Sequence, residues 1–200
     1  MDLNALYKIG YGLYIVSATE NGKDNACILN SIMQVTSDPC QISVCINKRN
    51  YTCEMVQRTK KFNISVLTED STFETFKNFG YQSGKNTNKF LNFPYTQRSH
   101  NGVLYITKDT NAFMSCWVKQ DIDLGTHIMF IAQLVEAQIL SNRPTVTYDF
   151  YQKNIKPKAE AVATKGWRCK ICGYVYDGEN LPADFVCPIC KHGAIDFEKI

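Results

Sequence analysis

Four cysteines near the C-terminus have the spacing of a metal site. They form two Cys-x-x-Cys pairs, Cys169 with Cys172 and Cys187 with Cys190, and 14 residues separate the pairs. Four thiolates in this arrangement close a tetrahedral cage around one metal ion. The spacing alone allows a structural zinc ion or a single iron ion. Zinc would serve folding or protein contact, whereas one iron ion would move one electron at a time.

The residues around the cysteines favour iron. Gly173 directly follows the first pair, and its missing Cβ lets the backbone turn so that amide groups point at sulfur. Apolar and aromatic residues, which control solvent access and redox potential, are dense nearby: Trp167, Tyr174, Tyr176, Phe185, Ile189 and Phe197. We therefore predict one iron ion on the four cysteines, with His192 as a surface residue and a zinc ribbon as the alternative.

The amino-acid sequence of this segment resembles that of rubredoxin, a one-iron, four-cysteine electron carrier. The run Cys-Lys-Ile-Cys-Gly-Tyr-Val-Tyr-Asp-Gly is followed by Cys-Pro-Ile-Cys. The inter-pair segment, 173–186, is shorter than in free-standing rubredoxins and is similar to the rubredoxin-type module of rubrerythrin. Lys191-His-Gly follows the second pair instead of an immediate glycine. This departure weakens the expectation of amide–sulfur bonds at the second pair and leaves metal ligation intact.

A second set of chemically capable residues lies in the first quarter of the chain. Lys48 supplies charge, and Asn47, Asn50 and Thr52 supply short polar groups at a strand-to-helix junction. A helix that begins there exposes backbone amides to a phosphate. An upstream run, predicted to be a strand, carries further polar residues, which alone are typical of an ordinary strand: Asn30, Ser31, Gln34 and Thr36.

The elements that position these residues are mostly strands. The chain has 200 residues, 44% of them hydrophobic, enough for one ordinary core and a small module. Short strand patterns separated by turn signals predict a mainly β chain, a barrel or sandwich with a few short helices. Helical spacing covers 51–59 after Asn50 as N-cap, and a second helix is expected from Ser71 through Asn78. The polar segment 79–100 is a long excursion of the kind that is often functional.

Three motifs in the expected order resemble the flavin reductase-like family of FMN-binding split β-barrels over roughly residues 3–151. They are the run from Asn25 to Pro39, the run from Ile42 to Thr52, and Gly125-Thr-His-Ile-Met-Phe-Ile-Ala-Gln-Leu. The resemblance implies a homodimer, NADH or NADPH as electron donor, a catalytic role for His127, and a segment over the ring that includes Gly80 and Gly84. It implies FMN on these residues: Asn30, Ser31, Gln34, Val35, Thr36, Cys45, Asn47, Lys48, Asn50, Tyr51, Thr52 and Gly80.

The two resemblances predict a flavin reductase-like domain at 1–152, a linker at 153–165 and a rubredoxin-like iron module at 166–200. Such a fusion is similar to the high-molecular-weight rubredoxins, which implies electron transfer to a flavodiiron protein that reduces oxygen or nitric oxide. A flavin accepts two electrons and releases them singly, which suits a one-iron neighbour. The alternatives are a carrier reduced by a separate reductase, or a split-barrel binding module with a zinc ribbon.

Composition excludes several other classes. The net charge of +3 is too small to indicate nucleic-acid binding, and no Gly-x-Gly-x-x-Gly indicates a dinucleotide-binding sheet. There is no apolar run of membrane-spanning length, and the first residues lack the pattern of a signal peptide. We therefore expect a cytoplasmic protein with reduced thiols and no membrane partner.

Replacing Cys169 with serine tests the metal assignment and the separation of the two modules. The substitution removes one of four thiolates, so we expect the iron absorbance and the bound iron to be lost while the flavin spectrum remains. Metal analysis and a visible spectrum of the purified variant make the measurement. Loss of both chromophores would show that the modules do not fold and load separately.

Overall fold

The computed structural model describes residues 2–157, 166–171, 173–188 and 192–200. Antiparallel strands make up most of the described chain, which confirms the mainly β prediction. A seven-stranded sheet contains these strands: β1 (Tyr14–Glu20), β2 (Lys23–Leu29), β3 (Ile32–Ser37), β4 (Cys40–Asn47), β5 (Lys61–Leu67), β8 (Thr110–Asp123) and β9 (His127–Ile139). A two-stranded hairpin contains β6 (Thr96–Arg98) and β7 (Leu104–Ile106).

The order of the strands makes the large sheet curl towards closure. Strands lie side by side as β2-β1-β5-β8-β9-β4-β3, so β2 and β3 occupy opposite edges. Only Asn30 and Ser31 join these two edges, and the Ser31 carbonyl accepts a hydrogen bond of 3.1 Å from the Cys45 amide. A connection of two residues requires the edges to approach each other, which gives the predicted split barrel. The prediction that Asn30 and Ser31 lie within a strand is wrong, because the chain crosses between edges there.

Helix α1 (Tyr51–Thr59) covers one end of the barrel interior. It begins after Asn50, as predicted, and ends at Lys60, whose φ of 56° is left-handed. Its buried residues, among them Met55 and Val56, pack with the barrel side chains Val16, Val44, Ile46, Phe62 and Phe130. The burial of this face fixes where the helix N-terminus points.

Helix α2 (Phe73–Gly80) packs on the outside of the sheet with Phe76 and Phe79 buried. Its N-cap is Thr72, so the prediction of Ser71 as the cap is wrong. Ser71 is buried, and its hydroxyl donates to the Asp109 carbonyl at 3.4 Å. Its side chain therefore joins two loops and leaves the helix start to its neighbour.

Several short elements complete the fold. A 3₁₀ helix spans Leu3–Lys8, and a helical turn α3 (Tyr148–Phe150) continues as a π-helical turn over Tyr151–Ile155. The C-terminal part forms a small three-stranded sheet in which the first strand lies between the other two, and a 3₁₀ turn at Ala194–Asp196 leads into the last strand. Its strands are β10 (Trp167–Cys169), β11 (Val175–Tyr176) and β12 (Phe197–Lys199).

The boundaries at 152 and 166 stay a prediction. The first residues of the proposed linker, 153–155, are helical, and 158–165 lie outside the described residues. None of the helices in the described ranges is long and apolar enough to cross a membrane.

Met55→Ala tests how strongly α1 depends on its buried face. Met55 is fully buried, and truncation of a buried methionine costs about 2–5 kcal/mol in unfolding free energy because it leaves a cavity. Urea denaturation followed by circular dichroism provides the measurement. Gln57→Ala, on the same helix and partly exposed, is the control, and we expect less than about 1 kcal/mol from it. Equal losses in the two variants would contradict the assigned packing.

Candidate functional site

A polar cleft of about 230 Å³ opens at the N-terminus of α1. Four of the predicted flavin-binding residues line it: Asn50, Tyr51, Thr52 and Gly80. The other described residues that line it are Asn25, Cys27, Arg49, Tyr81, Gln82, Ser83, Gly84, Lys89, His192 and Gly193. The cleft therefore brings together β2, the start of α1, the chain after α2, and the C-terminal module.

The electrostatics of the cleft favour an anion. Arg49 and Lys89 are cationic, and none of the described residues that line the cleft is acidic. The first amides of α1 have no partner within the helix, and the helix dipole places partial positive charge there. Lys23 and Lys85 also lie over the Tyr51 ring, 4.7 and 5.9 Å from its centroid. A phosphate group fits this environment.

One wall of the cleft has a buried acceptor that the described protein atoms leave unpaired. Asn25 is buried, and its Nδ2 donates to Thr52 Oγ1 at 2.9 Å, but its Oδ1 has no hydrogen-bond partner among the described residues. A Cβ at Gly84 would overlap Asn25 Oδ1, so glycine is required for this close approach. An unpaired buried acceptor is costly, and a donor from a bound ligand would satisfy it.

Lys89 holds the excursion against the cleft. Its Nζ donates to the carbonyl of Ala26 on β2 at 2.8 Å and to the carbonyl of Phe79 on α2 at 2.9 Å. Burial lowers the pKa of Lys89 to about 8, and a negative charge on Cys27 would raise it. Burial also raises the pKa of the Cys27 thiol. The ammonium group is thus a desolvated positive charge with fixed geometry.

The remaining predicted flavin ligands lie outside this cleft. Asn30 and Ser31 join the two sheet edges, and Ser31 Oγ donates to the Cys45 carbonyl at 3.0 Å. Gln34, Val35 and Thr36 are on the exposed edge strand β3. The β3–β4 register shifts between Gln34 and Thr36, a bulge of the kind often found beside binding sites. These residues form a second, separate group on the same barrel.

Asn47, Lys48 and His127 cluster where β4 meets β9. Asn47 and His127 are paired in the ladder, and His127 Nδ1 lies 2.8 Å from Thr126 Oγ1. Lys48 makes an ion pair with Asp123 at 2.6 Å. Asn47 also accepts, through its carbonyl, a 2.9 Å hydrogen bond from the Asn50 amide at the cleft. His127 lies on β9, opposite Asn47 of β4, and is not among the described residues that line the cleft.

The two described cysteines of the predicted metal site occupy matching loops. The Cys169 amide donates to the Tyr174 carbonyl, and the Cys187 amide donates to the His192 carbonyl, each at 2.8 Å and each five residues ahead. In the first loop Gly173 has a φ of 82° and its amide donates to the Cys169 carbonyl at 2.9 Å. The second loop therefore closes by the same bond without a glycine at the corresponding place. Cys172 and Cys190 lie outside the described residues.

An apolar shell surrounds these cysteines and contains five of the six predicted residues, whereas the sixth, Ile189, lies outside the described residues. Cys169, Cys187 and Phe197 are buried in one cluster, with five partly buried residues packed on it from the same module: Trp167, Tyr174, Tyr176, Leu181 and Phe185. A sixth residue, Tyr81, comes from the chain after α2. Two buried thiols in matching loops, packed within an apolar and aromatic cluster, suit a thiolate-bound metal ion.

These features match a known combination of domains. Residues 6–157 match the flavin reductase like domain, and residues 167–198 match the rubrerythrin, rubredoxin-like domain. The chain belongs to the flavin reductase-like family and carries a C-terminal rubredoxin-like domain. The prediction of an oxidoreductase of the flavin reductase type is confirmed, and the two domains imply a flavin and an iron ion.

Particular relatives share this organisation in whole or in part. The chain is 34% identical to the high molecular weight rubredoxin of Moorella thermoacetica, over 100% of both chains. It is 36% identical to a ferric-chelate reductase (NAD(P)H) of Archaeoglobus fulgidus, over 82% of this chain and 96% of that protein. Flavin reductase PheA2 in its native state matches with a TM-score of 0.62 and 25% identity, over 74% of this chain and 93% of that chain.

Sequence reasoning assigned no role in the cleft to five of the residues that line it: Asn25, Arg49, Lys89, His192 and Gly193. Asn25 and Lys89 were not predicted to contribute, and His192 was assigned to the surface. Asn25 begins the first family motif, which was a usable signal. A lysine in a polar excursion carries no local sign of burial, and the position of His192 depends on how the C-terminal module meets the barrel.

Lys89→Met tests the buried charge by its pH dependence. The folded pKa lies below the unfolded value, so the unfolded chain binds the extra proton at alkaline pH and stability rises with pH. The unfolding free energy of the wild type relative to Lys89→Met should increase by about 3 kcal/mol between about pH 7 and pH 11. Urea denaturation at a series of pH values measures this difference. The control is Lys77→Met, on the exposed side of α2, and an equal trend in both variants would contradict the assignment.

Proposed function

We propose that the protein is an electron-transfer oxidoreductase that takes hydride from NADH or NADPH on FMN and passes single electrons to a Cys₄ iron site. One observation carries the proposal: an anion-binding cleft at the start of α1 shares a chain with two matching cysteine loops. Hydride brings two electrons, which leave one at a time. Each electron would reduce the iron ion from ferric to ferrous, an external acceptor would reoxidise the ion between transfers, and the one proton that arrives with the hydride would pass to water.

The cleft would hold the phosphate and ribityl end of FMN. At about 230 Å³ it is smaller than a pocket for a whole drug-sized ligand, so the ring must extend beyond it. Asn50, Tyr51 and Thr52 present the α1 amides and side chains to the phosphate, and Lys89 adds a fixed positive charge. Asn25 Oδ1 would accept a hydrogen bond from the ribityl chain.

The second group of residues would meet the ring. Backbone and side-chain groups for the ring come from the connection before β3, at Asn30 and Ser31, and from the exposed edge strand β3 itself, at Gln34, Val35 and Thr36. Cys45, Asn47, Lys48 and Gly80 complete the proposed binding set, and His127 is proposed to act at the reacting end. These roles rest on family resemblance and on the position of each residue around the barrel end.

The iron module would deliver electrons outward. Cys169, Cys172, Cys187 and Cys190 are the proposed ligands, and the ion would supply a one-electron couple. A flavodiiron protein is the proposed acceptor, a separate reductase is the alternative donor, and a cytoplasmic homodimer is the proposed form. The relative of ferric-chelate reductase type fits a nicotinamide donor.

Anaerobic titration with NADH and, separately, with NADPH tests the function. We expect loss of the flavin absorbance and of the iron absorbance with at least one nucleotide. A colourless, zinc-containing protein would overturn the proposal in favour of a binding module. Reduction only after a separate reductase is added would overturn the direct hydride step and leave a carrier.

Asn50→Asp tests the cleft as the phosphate site. Aspartate is as good an N-cap as asparagine, so the helix should be retained, but the new negative charge repels the phosphate. We expect FMN affinity to fall by about tenfold or more, equivalent to about 1.4 kcal/mol, measured by fluorescence titration of the apoprotein. Asn50→Ser, a neutral cap, is the control. Equal affinity in the aspartate variant and the wild type would exclude this cleft as the phosphate site.

A further inference from the structure

An apolar residue of the first cysteine loop, 39% exposed, shares a small cavity with apolar residues of the barrel beside the cleft. Ile171 lies between Cys169 and Cys172 in sequence and lines a cavity of about 190 Å³. Apolar and aromatic barrel residues line the same cavity: Leu13, Ile28, Phe76, Tyr81, Tyr148 and Tyr151. This cavity is distinct from the cleft, although Gly80 and Tyr81 line both.

Tyr81 contacts both parts of the chain. Its ring packs on the apolar cluster beneath α2 and on the cluster that contains Cys169 and Cys187. Its hydroxyl lies 2.7 Å from that of Tyr151, which is buried, and this bond fixes the ring. One aromatic side chain thus lines the flavin cleft and also covers the cysteine core.

Polar contacts accompany the apolar ones. His192 and Gly193, which close the second cysteine loop, line the flavin cleft. Arg49, the residue before Asn50, pairs with Asp196 of the module, with Nη1 and Oδ2 3.5 Å apart. An exposed ion pair of this length is weak and is screened by salt, so it orients the module more than it holds it.

We propose that the module formed by residues 166–200 docks on the flavin cleft of its own subunit, with Ile171 and Tyr81 as its apolar contact and Arg49–Asp196 as its polar one. His192 and Gly193 of the docked module close the cleft. Tyr81, which lines the cleft, then packs against the cysteine cluster. Electron transfer then runs within one subunit. Electron transfer within one subunit rests on the proposed function, whereas the docking of the module does not depend on that function.

Substitutions on the module alone test the docking. Ile171→Asp puts a carboxylate into the apolar contact, and Asp196→Lys places like charges opposite Arg49. The matched controls are Ile195→Asp, at a residue 76% exposed, and Glu198→Lys, whose native partner Arg168 lies within the module. An unchanged iron spectrum shows that each module is intact.

We expect Ile171→Asp to have a larger radius of gyration by small-angle X-ray scattering and a flavin-to-iron transfer at least about tenfold slower, and Asp196→Lys to change both quantities in the same direction but by less. Both controls should match the wild type. Wild-type scattering and transfer in iron-replete Ile171→Asp and Asp196→Lys would overturn the docking. Failure of NAD(P)H to reduce the flavin would count against the proposed function alone, because scattering reports docking without any redox step.

Mixed subunits separate transfer within a subunit from transfer between subunits. Cys169→Ser supplies subunits with flavin and no iron, and Asn50→Asp, prepared without flavin, supplies subunits with iron. The mixture is then unfolded and refolded together to form mixed dimers. Docking within one subunit predicts that these dimers show no iron reduction at a rate independent of protein concentration. Restoration of that phase in about half of the iron present, which is about a quarter of the wild-type amplitude at equal total protein, would place the module on the partner subunit and overturn the inference.

Discussion

The site depends on the burial of one face of α1. Met55 and Val56 are fixed in the barrel core, so the helix cannot turn and its first residues, with Asn50 before them, line the cleft. Positive charge is then supplied by backbone geometry and by Lys89 and Arg49, with no acidic residue among the described lining. An apolar core on one side of the helix thus creates an anion site at its end.

The barrel keeps this arrangement rigid by joining distant parts of the chain. The two-residue connection at Asn30 and Ser31 brings the sheet edges together, and Lys89 ties the long excursion to β2 and α2. The buried ammonium is a stability cost that a bound anion would offset. Residues that lower stability are expected at functional sites, because function there requires them, and the position of Lys89 beside the cleft follows this pattern.

The sequence predicted those features that depend on local spacing. The paired cysteines, the aromatic shell around them, and α1 with Asn50 at its start all follow from residue type and separation. The contacts that build the cleft do not: Asn25 and Thr52 are 27 residues apart, Lys89 and Ala26 are 63, and Tyr81 and Tyr151 are 70. Tertiary packing sets those distances, and no local pattern encodes them. Ser71 is a second example. Its residue type favours an N-cap, but its hydroxyl donates a hydrogen bond to the Asp109 carbonyl instead.

We propose that the cleft at the start of α1 and the cysteine cluster form one electron path. Anaerobic stopped-flow mixing with NADH or NADPH, followed at flavin and iron wavelengths over a range of protein concentrations, measures that path most directly. The account predicts that flavin absorbance falls first and that iron absorbance follows with a rate constant independent of protein concentration. An iron phase whose rate rises in proportion to protein concentration, or that precedes flavin reduction, would contradict it.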